Sequence, residues 1–224
     1  MYTVESNSFL KSYINKDGKV NYDKLKENEI LFQKIGEIEN KNLQNFSSKT
    51  EEFVFWLNAY NLLVIKGVIE EFKKNSSWNG TKSYLSRIKF FVIKKFDIGN
   101  QKFSLYYIEN KILRKKFKDP RIHFAINCAS TSCPIIPSTL FVKESIDDVL
   151  DTLTSNFINN ENNIRINPIS KEITLNPIFK WYKEDFQDTG GIISFIKKYH
   201  TNFPINLEKP KLSFSKYDWS LNNQ

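Results

Sequence analysis

Between Ser48 and Phe72 the chain can form little other than one long amphipathic helix. Ser48-Lys-Thr-Glu51 has the spacing of a capping box, and behind it Phe53, Trp56, Leu57, Tyr60, Val64 and Val68 recur at helical intervals. Such a helix gains its stability by burying its apolar face, so the rest of the chain must cover it. It is therefore the predicted centre of the fold. Asn61 lies on the Leu57, Val64, Val68 stripe, and Asn58 lies between Val54 and Leu62 one turn away. Both amides are predicted to be buried, where each must hold backbone or another polar side chain. Either they pin loops to the helix, or one of them orients an imidazole or an oxyanion.

The 224 residues fit one domain, predicted to span 1–224, because no linker, internal repeat or low-complexity segment interrupts them. Lys73 to Lys82, with its Asn-Ser-Ser and Asn-Gly, is loop-sized. A net charge of +8 raises the question of nucleic acid, but only four of the 33 basic residues are arginines: Arg87, Arg114, Arg121 and Arg165. Arginine is the residue that reads phosphate and guanine bidentately, and the lysines are scattered, so no nucleic-acid partner is predicted. Lys111, Arg114, Lys115, Lys116 and Lys118 do cluster, at the end of a predicted helix where cations complement the macrodipole. No run of about 18 apolar residues marks a transmembrane segment. Met1-Tyr-Thr-Val-Glu-Ser has neither the basic start nor the apolar core of a signal peptide, so the chain as given reads as cytoplasmic. Export stays open if the chain was trimmed. Oligomeric state is not encoded in any pattern here.

Both cysteines and one of the two histidines fall within Arg121-Ile-His-Phe-Ala-Ile-Asn-Cys-Ala-Ser-Thr-Ser-Cys-Pro134. Any thiol chemistry must start here. Ile122 to Asn127 alternates β-branched or aromatic residues and predicts a short buried strand, while Ala129 to Ser132 is small and polar like a turn. On such a strand His123, Ala125 and Asn127 share one face and Cys128 points to the other. Either the strand breaks before Cys128, or Cys133 folds back after the turn to meet the imidazole. The two cysteines can be free thiols, a small-loop disulfide or metal ligands.

Two further segments bring carboxylates. Gly99-Asn100 predicts a hairpin turn between Phe96-Ile98 and Lys102-Phe103, and Ser104 then caps a helix whose buried face is Leu105, Ile108, Ile112 and Leu113. Glu109 sits on that face and needs a partner, because isolated burial of charge is prohibitive. Arg114, Arg121 and His123 are the candidates. Later, Ile164-Arg-Ile and Ile173-Thr-Leu175 predict a hairpin around Asn167-Pro168, and Phe179, Trp181, Tyr182 and Phe186 are predicted to pack. Asp185 is the polar residue among these aromatics, available to cap the next element or to approach the site. A short helix to Tyr199 follows Gly190-Gly191.

A thiol becomes a useful nucleophile when an imidazole takes its proton and a carboxylate or amide fixes that imidazole. Cys128, His123, Glu109, Asn61 and Cys133 are the candidate catalytic residues, with Asn58, Tyr60, Arg121 and Asp185 as candidate binding residues around them. Such a set supports acyl transfer on a small-molecule or peptide substrate, by hydrolysis or by transfer to an amine, with no cofactor. In a rival reading, His123, Cys128 and Cys133 with Glu109 or His200 form a zinc site, although His-x4-Cys-x4-Cys is not a common finger spacing. In another, the same residues are core and the domain binds a ligand or protein through its aromatic surface.

Several motifs taken in order resemble the domain of unknown function 547 family. They are Gly18-Lys-Val-Asn-Tyr22, Phe55-Trp-Leu-Asn-Ala-Tyr-Asn61, Ile108-Glu109 with Leu113-Arg114, and Asp119-Pro-Arg-Ile-His-Phe-Ala-Ile-Asn-Cys128. Ser132-Cys-Pro134, Phe179-Lys-Trp-Tyr-Lys-Glu-Asp-Phe186 and Tyr217-Asp-Trp-Ser-Leu-Asn222 continue the series almost to the end of the chain. The resemblance implies a bacterial or plant lineage with many exported bacterial members, and it implies positions rather than a reaction. Its pattern includes Glu109, His123 and Cys128. Plant-type members can carry Ser-Pro where this chain has Cys133-Pro134, which favours Cys128 as nucleophile. The coiled coil often added in plants has no counterpart here, since no heptads are sustained. The expected architecture is α+β, one domain with a small, mostly antiparallel sheet packed by several helices. A cysteine-protease-like or transglutaminase-like arrangement is an analogy from thiol chemistry.

Overall fold

The computed structural model describes residues 7–207 and 209–224. Helix α1 (Glu29–Glu39) leads into α2 (Lys49–Lys74), which is the predicted central helix. The Ser48 hydroxyl accepts from the Glu51 N–H at 3.1 Å, as a cap should. Glu51 does not close the box onto Ser48; its carboxylate accepts from the Ser47 N–H at 2.7 Å, one residue earlier. From Ala59 to Ile65 every residue of α2 is buried, so its middle has no solvent face. By length and mean hydropathy α2 is apolar enough to cross a membrane, yet 72% of its most apolar window is buried inside the protein. Core burial accounts for that composition.

The next helical stretch begins as α3 (Tyr84–Arg87) and widens over Ile88–Ile93 into π-type winding. Gly67 of α2 permits its close approach, since a Cβ there would lie 2.9 Å from the Phe90 ring. Strands β1 (Phe96–Ile98) and β2 (Gln101–Phe103) form the expected antiparallel hairpin. Gly99 and Asn100 both take positive φ, 55° and 63°, the requirement of the tight turn that matches strand twist. Ser104 then caps α4 (Leu105–Tyr107), and the winding widens again over Ile108–Phe117. A π-type turn reaches to i+5 rather than i+4, so the stripe drawn from a 3.6-residue repeat does not continue through it. Glu109 is buried here, as predicted, and Lys118 ends the stretch in the left-handed region at φ 55°.

The largest departure from expectation lies at Ile122–Ala125. This segment is a single helical turn, α5, and not a strand. Pro120 and Asp119 enforce the turn: the Asp119 carboxylate accepts from the Arg121 N–H at 2.9 Å, and the His123 N–H reaches the Pro120 carbonyl. All four residues of the turn are buried because α5 stands between two core clusters. Ile122 and Ala125 belong to the cluster around α2, and Phe124 belongs to a second cluster. Alternation along the sequence arises here from burial on all sides.

The second cluster is built by α6 (Ile146–Ile158), β3 (Ile164–Asn167), β4 (Glu172–Leu175), α7 (Ile178–Trp181), a 3-10 stretch Lys183–Thr189, α8 (Ile192–Tyr199) and β5 (Lys211–Phe214). Strands β3 and β4 pair antiparallel as predicted, Ile164 opposite Leu175, and β5 joins β4 in parallel. The architecture is thus α+β, with two small sheets in place of one. After β5 the chain returns beside the cysteine loop: Thr131 N–H donates to the Ser220 carbonyl at 2.8 Å, and Asn222 N–H to the Ala129 carbonyl at 3.1 Å.

Candidate functional site

The two thiols sit on a loop that is tied down by asparagines. Asn61 of α2 donates to the Ala125 carbonyl and accepts from the Asn127 N–H, both at 2.9 Å. Asn127 in turn donates to the Pro134 carbonyl at 2.6 Å and accepts from the Ala129 N–H at 2.7 Å. Asn176 holds the far side through the Ser132 carbonyl at 3.1 Å. Ala129 takes φ 59°, a conformation disfavoured for any residue with a Cβ, directly after Cys128. The loop is therefore held in a shape it would not choose alone.

Within it both cysteines are free and part-buried. Cys128 Sγ lies 3.0 Å from Ser130 Oγ and 3.3 Å from the Tyr217 hydroxyl, and the Cys128 N–H donates to Cys133 Sγ at 2.9 Å. A hydrogen bond from the Cys133 thiol is the main influence drawing the Cys128 thiol down to about 7; burial opposes it, and the Ser130 and Tyr217 hydroxyls add to it. Burial, together with bonding to Cys128 and its charge, pushes Cys133 well up. More donors converge on Cys128, so the negative charge belongs there.

His123 is held from two sides. Its Nε2 lies 2.6 Å from Asp185 Oδ2, and its ring stacks on Tyr182 with centroids 4.0 Å apart. Arg114 grips the same carboxylate, Nε to Oδ2 at 2.6 Å and Nη2 to Oδ1 at 2.9 Å, and its guanidinium also lies over the Tyr182 ring. Partial burial penalises the charged form of Asp185, but hydrogen bonds from His123 and Arg114 outweigh it and hold the carboxyl well below its ordinary range. An ionised carboxylate only accepts, so Nε2 carries the imidazole proton. Nδ1 bonds to no described residue, and no buried side-chain nitrogen or oxygen among them lacks a partner, so Nδ1 opens to the cleft.

Glu109 is not bonded to His123. Its Oε2 accepts from the Tyr60 hydroxyl at 3.2 Å and its Oε1 from the Tyr182 hydroxyl. Burial first, then the Glu109 charge, pushes both phenols well above their ordinary range, so both remain donors. The expected partnership is thus exchanged: Asp185 takes the imidazole and the arginine, and Glu109 takes two tyrosines. The physical reason is reach, because the 3-10 stretch after α7 swings Asp185 onto Arg114 and His123.

Glu109, His123, Cys128 and Cys133 line one cleft of about 480 Å³, together with Tyr60 and Arg114. Its walls are aromatic. Trp181, Tyr217 and Trp219 pack on one another at 4.5–5.5 Å between centroids, the two tryptophans stacked, and Arg87 lies over Trp219 at 4.5 Å. No hydrogen bond joins His123 to either thiol.

Four predicted site residues lie off the cleft lining. Asn61 is buried behind the loop and holds its backbone, so it orients neither the imidazole nor an oxyanion. Asn58 opens onto a different hollow and clasps Phe141, N–H and carbonyl both at 2.9 Å. Arg121 is spent on Asp119, Asp147 and Asp151. Asp185 acts from behind His123. Among the described residues no three His, Cys, Asp or Glu side chains are arranged to hold a metal ion, so the four-ligand alternative is not assembled. His200 follows α8, beside Phe203. Sequence reasoning missed Ser130, Tyr217, Trp219 and the structural part of Tyr182. Tyr217 and Trp219 stood in a terminal motif whose place beside the thiols no local pattern reveals.

A family model described as "Protein of unknown function, DUF547" matches residues 43–158, slightly more than half of the chain. The match spans α2, Glu109, His123 and both cysteines, and ends before Asp185 and Tyr217. No curated protein and no solved structure matches the chain.

Proposed function

The chain belongs to the DUF547 family, and we propose that in this member Cys128 is the nucleophile of a thiol-dependent acyl-transfer reaction. His123 is its acid and base, held by Asp185. The observation that carries this reading is a thiol drawn down to about 7 sharing a cleft with an imidazole whose Nε2 is fixed and whose Nδ1 is open. In the first half-reaction the Cys128 proton passes to His123 Nδ1 across the solvent in the cleft, and the thiolate adds to the substrate carbonyl. The leaving group departs with the proton from Nδ1 and leaves a thioester on Cys128. In the second, water or an amine gives a proton to Nδ1, attacks the thioester and releases the acid or amide, and the thiolate is restored. In this reading the substrate carbonyl is bound between thiol and imidazole, which share the cleft without a direct bond.

The test is a pH series of iodoacetamide labelling with Cys128 and Cys133 distinguished by peptide mass spectrometry. Half-maximal labelling of Cys128 at a pH of about 7, and an acetyl adduct on Cys128 after p-nitrophenyl acetate that persists longer in His123→Ala, are the expected results. Cys128 labelling at the rate and pH of an ordinary thiol, about 8.5, would overturn the reading.

A non-catalytic reading keeps one observation in its favour. Tyr84, Val92, Tyr106 and Trp181 all line the cleft and remain exposed, as a binding surface for a ligand or protein would. The same labelling series decides between the two.

A further inference from the structure

Among the described residues Glu109 is the only carboxylate that lines the cleft, and it forms no ion pair with any of them. It is 9% exposed, and each of its oxygens accepts from one neutral tyrosine hydroxyl. Two hydroxyls fill about half of the roughly four lone-pair positions of a carboxylate. Arg114 is near enough for its charge to act on Glu109, but its N–H groups and those of Arg87 are committed elsewhere. Arg114 spends its guanidinium on Asp185 and Asn110, and Arg87 donates to the Thr81 and Lys82 carbonyls and stacks on Trp219. A carboxylate taken out of water with no cation bonded to it is costly, and the cost is offset if a ligand brings a bonded cation.

The walls suit the same ligand. Ring faces attract ammonium groups, and a carboxylate among aromatic rings is a combination that recognises organic cations. We infer that Glu109 receives an ammonium group carried by the substrate, so that the cleft selects amines or amine-bearing acyl compounds. This rests on the reading of Cys128 as nucleophile, and it adds the substrate class.

The experiment uses three methanethiosulfonates on the intact protein: the neutral methyl reagent, the ethylammonium reagent and the ethylsulfonate reagent. In each case the Cys128 thiolate attacks the sulfenyl sulfur, the S–SO2 bond breaks, the alkylthio group is left on Cys128 as a mixed disulfide, and methanesulfinate departs with the electron pair. Rates are divided by those on a small free thiol. The overall charge of +8 favours the anionic reagent at an ordinary surface thiol, whereas an ammonium site predicts the reverse, a cation preference of about ten-fold. Glu109→Gln should lower that preference, read as the ratio of the ethylammonium to the neutral rate, about five-fold or more, while Glu109→Asp keeps it. Absence of cation preference in the unmodified protein, or the same preference in Glu109→Gln, overturns the inference. The charge ratio is read whatever the absolute rate. A slow neutral reaction at Cys128 instead strikes at the nucleophile reading, so the two failures are distinct.

Discussion

If hydroxyl groups hold the Cys128 thiolate, removing both should visibly move its titration, and removing one should not. The Ser130 hydroxyl has a single proton and two acceptors at 3.0 Å, Cys128 Sγ and the Tyr217 oxygen, while Tyr217 reaches the sulfur at 3.3 Å. In Tyr217→Phe the Ser130 proton turns to the sulfur; in Ser130→Ala the Tyr217 proton stays on it. Each single change should therefore raise the titration by less than about half a unit. The double variant Ser130→Ala/Tyr217→Phe leaves the Cys133 thiol as the remaining side-chain donor. Loss of one charge-assisted bond of about 1.5 kcal/mol corresponds to about one pKa unit. The midpoint would then move from about 7 to about 8, the thiolate fraction at pH 7 would fall from about one half to about one tenth, and labelling there would slow about five-fold. Tyr217→Phe removes the hydroxyl alone and keeps the ring that packs on Trp181 and Trp219, so the fold should survive, which circular dichroism checks. Rate against pH for iodoacetamide, mapped to Cys128, is the assay. A folded double variant with an unmoved midpoint, or single changes that each match the double, refutes the contribution of the hydroxyl network.

Asn61→Ala breaks two buried backbone bonds and should cost about 2–4 kcal/mol in urea unfolding, whereas half-buried Asn58→Ala should cost about 1–2 kcal/mol; equal costs would argue against the loop-pinning account. Asp185→Asn should cost about 2 kcal/mol, less than a fully buried ion pair because the site is partly open to solvent. The Asp185 carboxyl lies below its ordinary range when folded, so its stabilisation is complete above about pH 4 and fades as pH falls further; a difference from Asp185→Asn that persists undiminished at about pH 2 would contradict this. Ala129→Gly should leave stability unchanged or raise it by up to about 1 kcal/mol, because glycine accepts the positive φ. A loss above about 1 kcal/mol would show that the Ala129 methyl packs more than it strains.

The elements readable from sequence were those whose signals are local. The Ser48 cap, the Phe53 to Val68 spacing and the Gly99-Asn100 turn each act over a few residues, and all appear in the structure. The hairpin at Ile164 to Leu175 does also. Ile122–Ala125 was not legible, since its apolar alternation comes from sitting between two cores, and its helical turn is set by Asp119 and Pro120 just before it. The widened winding over Ile108–Phe117 hid the direction of Arg114 for a related reason: the 3.6-residue projection presumes a repeat that this stretch does not keep.

At the site, residue types carried more information than pairings. Burial of Glu109, Asn61 and His123 follows from their neighbours on apolar stripes, and each was visible as a polar group in need of a partner. Which partner each found depends on segments far along the chain: Tyr182 and Asp185 come from beyond the second hairpin, and Tyr217 from near the end. A carboxylate cannot be matched to one of several cations or hydroxyls by spacing alone, because charge and hydrogen-bonding capacity are the same in every candidate and only distance decides. The asparagines sharpen the point. Asn61, Asn127 and Asn176 bind backbone carbonyls or N–H groups, which every residue carries, so nothing in the identity of the target distinguishes it. Their side chains fix the thiol loop in place, and that constraint allows Ala129 to keep its positive φ and Cys128 to meet Ser130 and Tyr217 at once.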